Sequence, residues 1–175
     1  MQKVKTFFVL ILTVTVIASF IRPAKEKINW LSLQQVQEAY KKQPRPILVD
    51  VYTDWCGWCK VMDKETYSKE HVAAYINEHY YAVKFNAESR DSAMLGSKKY
   101  GYNSEYRSND LAVYLLFGQM SFPSTVFLST PDARPAPLPG YMKPSELEAP
   151  LKYFGDGNFQ KQDYPQFMKD FKSSW

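Results

Sequence analysis

The spacing of apolar and polar positions predicts a series of short helices and strands. Residues 46–52, PILVDVY, are apolar at almost every position apart from Asp50, which is typical of a strand buried on both faces. Ahead of this segment, Leu33, Val36 and Tyr40 recur at helical spacing. The two patterns predict a helix that leads into a central buried strand.

Turn residues and helix-capping residues set the ends of the other predicted elements. A capping box is predicted from Ser145 to Glu148, and Pro150, which lies within the same predicted helix, is expected to bend or shorten it. Helices are predicted at residues 30–43 with Ser32 as the cap, 60–68, 68–80, 110–118 with Ser108 or Asn109 as the cap, 143–155 and 164–172. Strands are predicted at residues 81–86 and 124–129, with a short strand before Gly140.

The N-terminus has the pattern of an export signal. Lys3 and Lys5 precede an apolar run at residues 7–21, which is shorter than the roughly 17–25 residues that span a membrane. A basic start followed by a short apolar run is typical of a secretory signal peptide. We therefore interpret residues 1–22 as a signal peptide or an N-terminal membrane anchor. The remainder, residues 23–175, is expected to be one domain that is periplasmic or otherwise extracytoplasmic.

Composition indicates a globular protein without a nucleic-acid surface. Hydrophobic residues make up 45% of the chain and aromatic residues 16%, which is more than a disordered chain carries. The formal net charge is +4, and Lys3 and Lys5 of the leader supply two of these charges. The remaining charge is too small to indicate binding of nucleic acid.

The sequence contains only two cysteines, Cys56 and Cys59, in the segment WCGWC that begins three residues after the end of the predicted central strand. A disulfide between them would close a loop too short to stabilise the fold much. Reactivity explains the pair better, because the start of the next predicted helix would stabilise Cys56 as a thiolate. In this interpretation Cys56 is the accessible attacking thiol and Cys59 is the more buried resolving thiol.

The segment ILVDVYTDWCGWCK resembles the active site of the thioredoxin superfamily, with Trp55 before the first cysteine and Lys60 after the second. Asp50 matches the buried carboxylate that helps, in this family, to move the proton of the resolving cysteine. Lys84 matches the lysine near that carboxylate, and Pro123 in SFPSTVFL matches the cis-proline opposite the cysteines. The neighbouring residues are similar to those of exported proteins related to the C-terminal domain of the transmembrane thiol:disulfide interchange protein.

This resemblance implies a fold, a reaction and a set of site residues. The fold is an α/β thioredoxin fold, a central mixed sheet flanked by helices, with an inserted helical segment before the cis-proline strand. The reaction is the reduction of disulfides in exported proteins by a CxxC dithiol/disulfide cycle, with electrons from a membrane-bound donor and no bound cofactor or metal. The implied catalytic residues are Cys56, Cys59, Asp50 and Lys84, with a Cys56–Cys59 disulfide in the oxidised form. The implied substrate-binding residues are Trp55, Gly57, Trp58, Phe122 and Pro123.

Two features depart from thioredoxin itself. The dipeptide between the cysteines is Gly57–Trp58, and Trp58 adds no positive charge, which favours a reductase over a strong oxidant. In addition, an insertion at about residues 88–117 separates the Lys84 strand from Pro123. We expect this insertion to be either a helical cap on the sheet or a lid beside the cysteine groove. The lid would border the groove with Tyr100, Tyr102 and Tyr106.

The same residues admit other functions. One is a thioredoxin-fold module that binds polypeptide beside Pro123, with the cysteines secondary. Another is a copper carrier that uses the CxxC, although two thiolates are half of a tetrahedral ligand set. His71 and His79 lie on a predicted helix without ligand spacing to the cysteines. A solvated strand lysine is the ordinary alternative for Lys84.

Overall fold

The computed structural model describes residues 26–175, which form an α/β fold. The α-helices are α1 Leu33–Lys42, α2 Gly57–Met62, α3 Glu70–His79, α4 Asp110–Leu115, α5 Pro144–Gly155 and α6 Tyr164–Asp170. The strands are β1 Ile47–Tyr52, β2 Tyr81–Asn86, β3 Ala93–Leu95, β4 Lys98–Tyr100, β5 Tyr102–Asn103, β6 Ser108–Asn109, β7 Ser124–Leu128 and β8 Ala136–Pro139.

The main sheet is mixed and has β1 in its interior. Its strand order is β2-β1-β7-β8. Strands β1 and β2 are parallel, whereas β7 is antiparallel to both β1 and β8. The predicted fold class, a central mixed sheet flanked by helices, is therefore confirmed.

Strand β1 is apolar throughout because each of its faces contributes to a separate hydrophobic core. Val49 is fully buried in a core shared with Val36 of α1 and with α4. Leu48, on the opposite face, is fully buried in a core shared with Ile76 of α3 and with α2 and α5. Side chains alternate between the two faces of a strand, so helices on both sides demand apolar residues at successive positions.

The insertion combines two small hairpins with one helix. Strand β3 pairs with β4, β5 pairs with β6, and α4 follows. Tyr100 is buried and its ring lies 5.5 Å from that of Tyr114, while Leu111 and Leu115 are fully buried in the core of the sheet. The predicted helix is present and covers the sheet as the cap interpretation requires. The hairpins were not predicted, because strands of two or three residues carry too few positions to show an alternating pattern.

The N-caps agree with the sequence at α1 and α4 but not at α5. Ser32 caps α1 with a capping box to Gln35, as predicted for this serine. At α5, however, the predicted capping box from Ser145 to Glu148 is wrong. The backbone N–H of Lys143 donates to Glu146 Oε2 at 2.8 Å, whereas Glu148 is fully buried. The helix begins one residue before Ser145, so Glu148 falls within its buried face.

Four further helix predictions differ in detail. Helix α4 ends at Leu115 rather than at Gly118. Helix α5 continues through Pro150 to Gly155 without being shortened. Helix α6 ends at Asp170 rather than at residue 172. Helix α2 is extended by a single turn of π-helix, Asp63–Tyr67, a feature that often occurs at functional sites.

The interpretation of residues 1–22 as a signal peptide or membrane anchor lies outside the described residues. Within residues 26–175, no helix combines the length and the apolar character that crossing a membrane requires.

Candidate active site

The two cysteines form a disulfide at the start of α2. Cys56 is the N-cap residue of this helix, and its Sγ accepts a hydrogen bond from the backbone N–H of Cys59 at 3.0 Å. The Cys56 N–H in turn donates to the Thr53 carbonyl at 3.2 Å. The turn after β1 therefore places Cys56 Sγ at the N-terminus of α2, where unpaired N–H groups and the helix dipole favour negative charge.

Cys56 and Cys59 are equally buried in this disulfide form. Each residue is 4% exposed, so the expected contrast between an accessible attacker and a more buried resolver is absent here. The bond to Cys59 and the hydrogen bond from its N–H draw the Cys56 sulfur into the helical turn.

Exposed aromatic side chains surround the disulfide. Trp55 is 67% exposed and Trp58 is 62% exposed. The Trp55 ring lies edge-on to Phe122 at 5.9 Å, and the Phe122–Pro123 peptide bond is cis. The Trp58 ring stacks on Tyr141 at 5.6 Å. Of the predicted substrate-binding residues, the structure thus brings together Trp55 and Phe122 in direct contact, while Gly57 is exposed beside the cysteines.

A buried carboxylate and two charged partners lie in the sheet below. Asp50 is 2% exposed and pairs with Lys84 across the parallel strands β1 and β2. Lys84 Nζ lies 3.3 Å from Asp50 Oδ2 and 2.5 Å from Asp63 Oδ1. The second oxygen of Asp50, Oδ1, is buried and has no hydrogen-bond partner among residues 26–175. The structure therefore brings the predicted Asp50 and Lys84 together and adds Asp63.

This arrangement gives Asp50 an unusual affinity for a proton. Burial raises the pKa of Asp50 from its ordinary value of 3.8 to about 7, although the neighbouring Lys84 opposes the rise and Asp63 adds to it. Burial would lower the pKa of Lys84, but the hydrogen bond that Lys84 donates to Asp63 and the charge of Asp50 outweigh burial and raise that pKa. Asp50 is thus able to change protonation near neutral pH, whereas Lys84 stays charged.

The charged cluster is open to water on one side. Lys84 and Asp63 line a cavity of ≈ 340 Å³ together with Trp30 and Tyr67. The Tyr67 hydroxyl lies 2.9 Å from that of Thr125, the residue paired with Asp50 on β7. Water that enters the cavity can therefore reach the ion pairs of Lys84 without passing the disulfide.

Three residues of the site were missed in the sequence. Asp63 follows Cys59 by four residues, a spacing that places two side chains on one face of a helix and that would have indicated it. Tyr141 and Glu88 come from distant segments, and only the folded chain brings them to Trp58 and Trp55.

The described residues offer little for a metal ion. Within residues 26–175, no group of three or more His, Cys, Asp or Glu side chains is arranged to hold one. His71 packs against Trp175 at 5.0 Å, and His79 stacks on Tyr75 at 4.1 Å.

Comparison with known proteins agrees with this geometry. The family described as Thioredox_DsbH, protein of unknown function, DUF255, matches residues 17–153. An uncharacterized protein of Caenorhabditis elegans is 28% identical over 136 residues, which cover 74% of this chain and 16% of that protein. The thiol:disulfide interchange protein DsbD of a Pseudomonas species is 36% identical over 47 residues, 27% of this chain and 8% of DsbD. The chain thus spans a small part of the curated relatives that it matches.

Solved structures share the fold at low sequence identity. A DsbH oxidoreductase has 17% identity and a TM-score of 0.53, covering 77% of this chain and 90% of its own. A thioredoxin-fold protein from Helicobacter pylori has 21% identity and a TM-score of 0.56, covering 72% and 79%. A thioredoxin from Thermus thermophilus has 14% identity and a TM-score of 0.53, covering 74% and 86%. The fold, the CxxC disulfide and the family match agree, and the chain belongs to the Thioredox_DsbH family of the thioredoxin superfamily.

Proposed function

We propose that the protein is a thiol–disulfide oxidoreductase that reduces disulfides of exported proteins. The observation that carries this proposal is the Cys56–Cys59 disulfide at the N-terminus of α2. A bond between residues three apart adds little stability, so its chemistry is the reason to keep it.

In the reduced protein, the Cys56 thiolate attacks one sulfur of a substrate disulfide. The other substrate sulfur leaves as a thiolate, and a mixed disulfide joins Cys56 to the substrate. Cys59 then loses its proton and attacks Cys56 Sγ, which releases the second substrate thiolate. Two electrons have passed to the substrate, and the Cys56–Cys59 disulfide remains.

Asp50 is the proton acceptor for Cys59 in this scheme. Its pKa of about 7 lets it accept a proton at neutral pH and return it to water afterwards. Lys84 and Asp63 are positioning residues, because their charges set the proton affinity of Asp50 in opposite directions.

The direction and the location are inferred from the sequence. Trp58 adds no positive charge between the cysteines, which favours a reductase. A protein outside the cytoplasm regains electrons only from a donor, so we infer a membrane-bound electron donor and disulfide-containing exported proteins as partners. Residues 1–22 would direct the domain to the periplasm or another extracytoplasmic space and, if retained, would hold it at the membrane.

Insulin reduction tests the activity directly. The dithiol form should reduce insulin disulfides, and Cys56→Ala combined with Cys59→Ala should abolish the reaction. Cys59→Ala alone should trap substrates on Cys56 as mixed disulfides, and their identification from cells would name the partners. An unchanged rate in the double variant would rule out the enzymatic function. The second candidate function would then remain, a module that binds polypeptide through the exposed Trp55 and Trp58.

A further inference from the structure

The side chain of Trp55 is held in place although it is mostly in water. The residue is 67% exposed, so burial does little to fix its rotamer. Two contacts act instead. The indole N–H donates to Glu88 Oε1 at 3.0 Å, and the ring lies edge-on to Phe122, the residue before Pro123. The indole therefore connects the cysteine turn to the loop that carries Pro123.

Glu88 is itself fixed by the end of β2. Its backbone N–H donates to Asn86 Oδ1 at 2.9 Å. The amide nitrogen of Asn86 donates to Asp54 Oδ2 at 3.0 Å, which ties the same segment to the turn that carries Trp55. The Ala87 N–H donates to the Tyr52 carbonyl at 2.8 Å. The acceptor for the indole thus has a defined position relative to the cysteine turn.

Asn109, the N-cap residue of α4, holds the segment that carries Glu88. Asn109 is fully buried, and its N–H donates to the Ala87 carbonyl at 2.7 Å. Its amide nitrogen donates to the carbonyls of Ser89 and Asp91 at 3.1 and 2.9 Å. A fully satisfied buried polar side chain specifies one conformation of the segments that it joins. Asn109 therefore fixes residues 87–91, which include Glu88, the acceptor of the Trp55 indole N–H.

We propose that Glu88 is a positioning residue that holds the Trp55 indole as a wall of the groove where a polypeptide disulfide docks. This inference rests on the proposed function and deepens it. Glu88 acts on the affinity for polypeptide, and it leaves the exchange between sulfur atoms unchanged. The carboxylate has no contact with Cys56 or Cys59 among the hydrogen bonds of the described residues.

The test compares Glu88→Ala with Glu88→Gln, because the carboxamide oxygen of glutamine still accepts the indole N–H. Glu105→Ala is the matched control, since Glu105 is an exposed glutamate of the insertion whose side chain has no partner among the described hydrogen bonds and ion pairs. For insulin as substrate, Glu88→Ala should raise KM by about threefold to tenfold, the effect of one hydrogen bond, with kcat within about twofold. Glu88→Gln and Glu105→Ala should keep KM within about twofold of the wild type.

A double-mutant cycle separates positioning from general stability. In a Trp55→Phe background no indole N–H remains, so Glu88→Ala should have no further effect on KM. The proposal would be overturned if Glu88→Ala left KM unchanged, or if Glu88→Gln raised KM as much as Glu88→Ala does. It would also be overturned if Glu88→Ala still raised KM in the Trp55→Phe background.

Two further readouts do not depend on disulfide reduction. Binding of carboxymethylated insulin B chain, which has no free thiols, should weaken in Glu88→Ala by the same factor as KM rises. The indole N–H resonance of Trp55, assigned with Trp55→Phe, should move in Glu88→Ala and stay near its wild-type position in Glu88→Gln. Failure of insulin reduction in the wild type would reject the proposed function alone. No difference in binding or in the resonance would reject the role of Glu88.

Discussion

Lys84 Nζ lies 3.3 Å from Asp50 Oδ2, and the two residues are directly paired across the parallel strands β1 and β2. The same ammonium group is bonded to Asp63, whose side chain is 43% exposed, while that of Asp50 is 3% exposed. Lys84 thus forms ion pairs with one buried and one half-exposed carboxylate. The buried partner is the one whose proton affinity burial can change most.

Replacing Asp50 should stabilise the oxidised protein at alkaline pH. The native pKa of about 7 lies above the ordinary 3.8, so the native state holds its proton more tightly than the unfolded state. The resulting stability is present below about pH 4 and is lost as the pH rises to about 7. Asp50→Asn should therefore raise the free energy of unfolding by about 2–4 kcal/mol at pH 8 and by much less at pH 4.

Urea denaturation of the oxidised protein at the two pH values measures this difference. Asp91→Asn is the matched control, because Asp91 is exposed and its loss should change stability equally little at both. An equal effect of Asp50→Asn at pH 4 and pH 8 would contradict a raised pKa.

Substitutions at Lys84 and Asp63 should move the pKa of Asp50 in opposite directions. The charge of Lys84 lowers this pKa and the charge of Asp63 raises it. Lys84→Met should therefore raise the pKa of Asp50 above about 7, and Asp63→Asn should lower it. Carbon-13 NMR titration of the Asp50 carboxyl group measures both changes, with Asp91→Asn as the reference. Shifts of the same sign would show that Lys84 and Asp63 do not act through their charges.

The local part of the site was predictable from the sequence, whereas of its tertiary contacts only that between Asp50 and Lys84 was expected, through the resemblance to the thioredoxin superfamily. The buried strand, the cysteine pair and Asp50 occupy a continuous segment in which apolar pattern and helix start are both visible. Glu88 and Tyr141 act through contacts with Trp55 and Trp58 that depend on how distant segments fold together. The contacts of Trp55 with Glu88 and Phe122 explain how an exposed ring keeps one position.

Glu148 illustrates how a correct local rule gives a wrong assignment. The spacing Ser145 to Glu148 fits a capping box, but Pro144 begins α5 one residue earlier and Glu146 takes the capping role. Glu148 instead receives hydrogen bonds from Lys152, Ser173 and Ser174. Because Ser173 and Ser174 lie 25 and 26 residues from Glu148 in the sequence, no local pattern indicates these hydrogen bonds.

Glu148→Gln should destabilise the protein at neutral pH. Burial alone would raise the pKa of Glu148, but hydrogen bonds from Lys152, Ser173 and Ser174 lower it to about 2. Glutamine would remove the charge, and its N–H groups would face the donors that now bind the carboxylate. We expect the free energy of unfolding to fall by about 2–4 kcal/mol. Because the native pKa lies below the ordinary 4.5, the stabilisation is present above about pH 4.5 and disappears as the pH falls toward 2. The gap between the wild type and the variant in urea denaturation should narrow from pH 7 to pH 3, whereas Glu105→Gln should show little effect at either.

Asn109→Ala should destabilise the insertion together with the cysteine turn. The asparagine side chain is fully buried, caps α4 by accepting the Leu111 N–H at 3.0 Å, and donates to the Ser89 and Asp91 carbonyls. Alanine would leave the buried Leu111 N–H and the partly buried Ser89 and Asp91 carbonyls without these partners, at a cost of about 2–4 kcal/mol. Hydrogen exchange should then speed up at Leu111, and the Trp55 indole resonance should shift with it. Gln119→Ala, an exposed position, is the control and should leave both unchanged. Faster exchange at Leu111 with a constant Trp55 resonance would mean that the insertion folds independently of the groove wall.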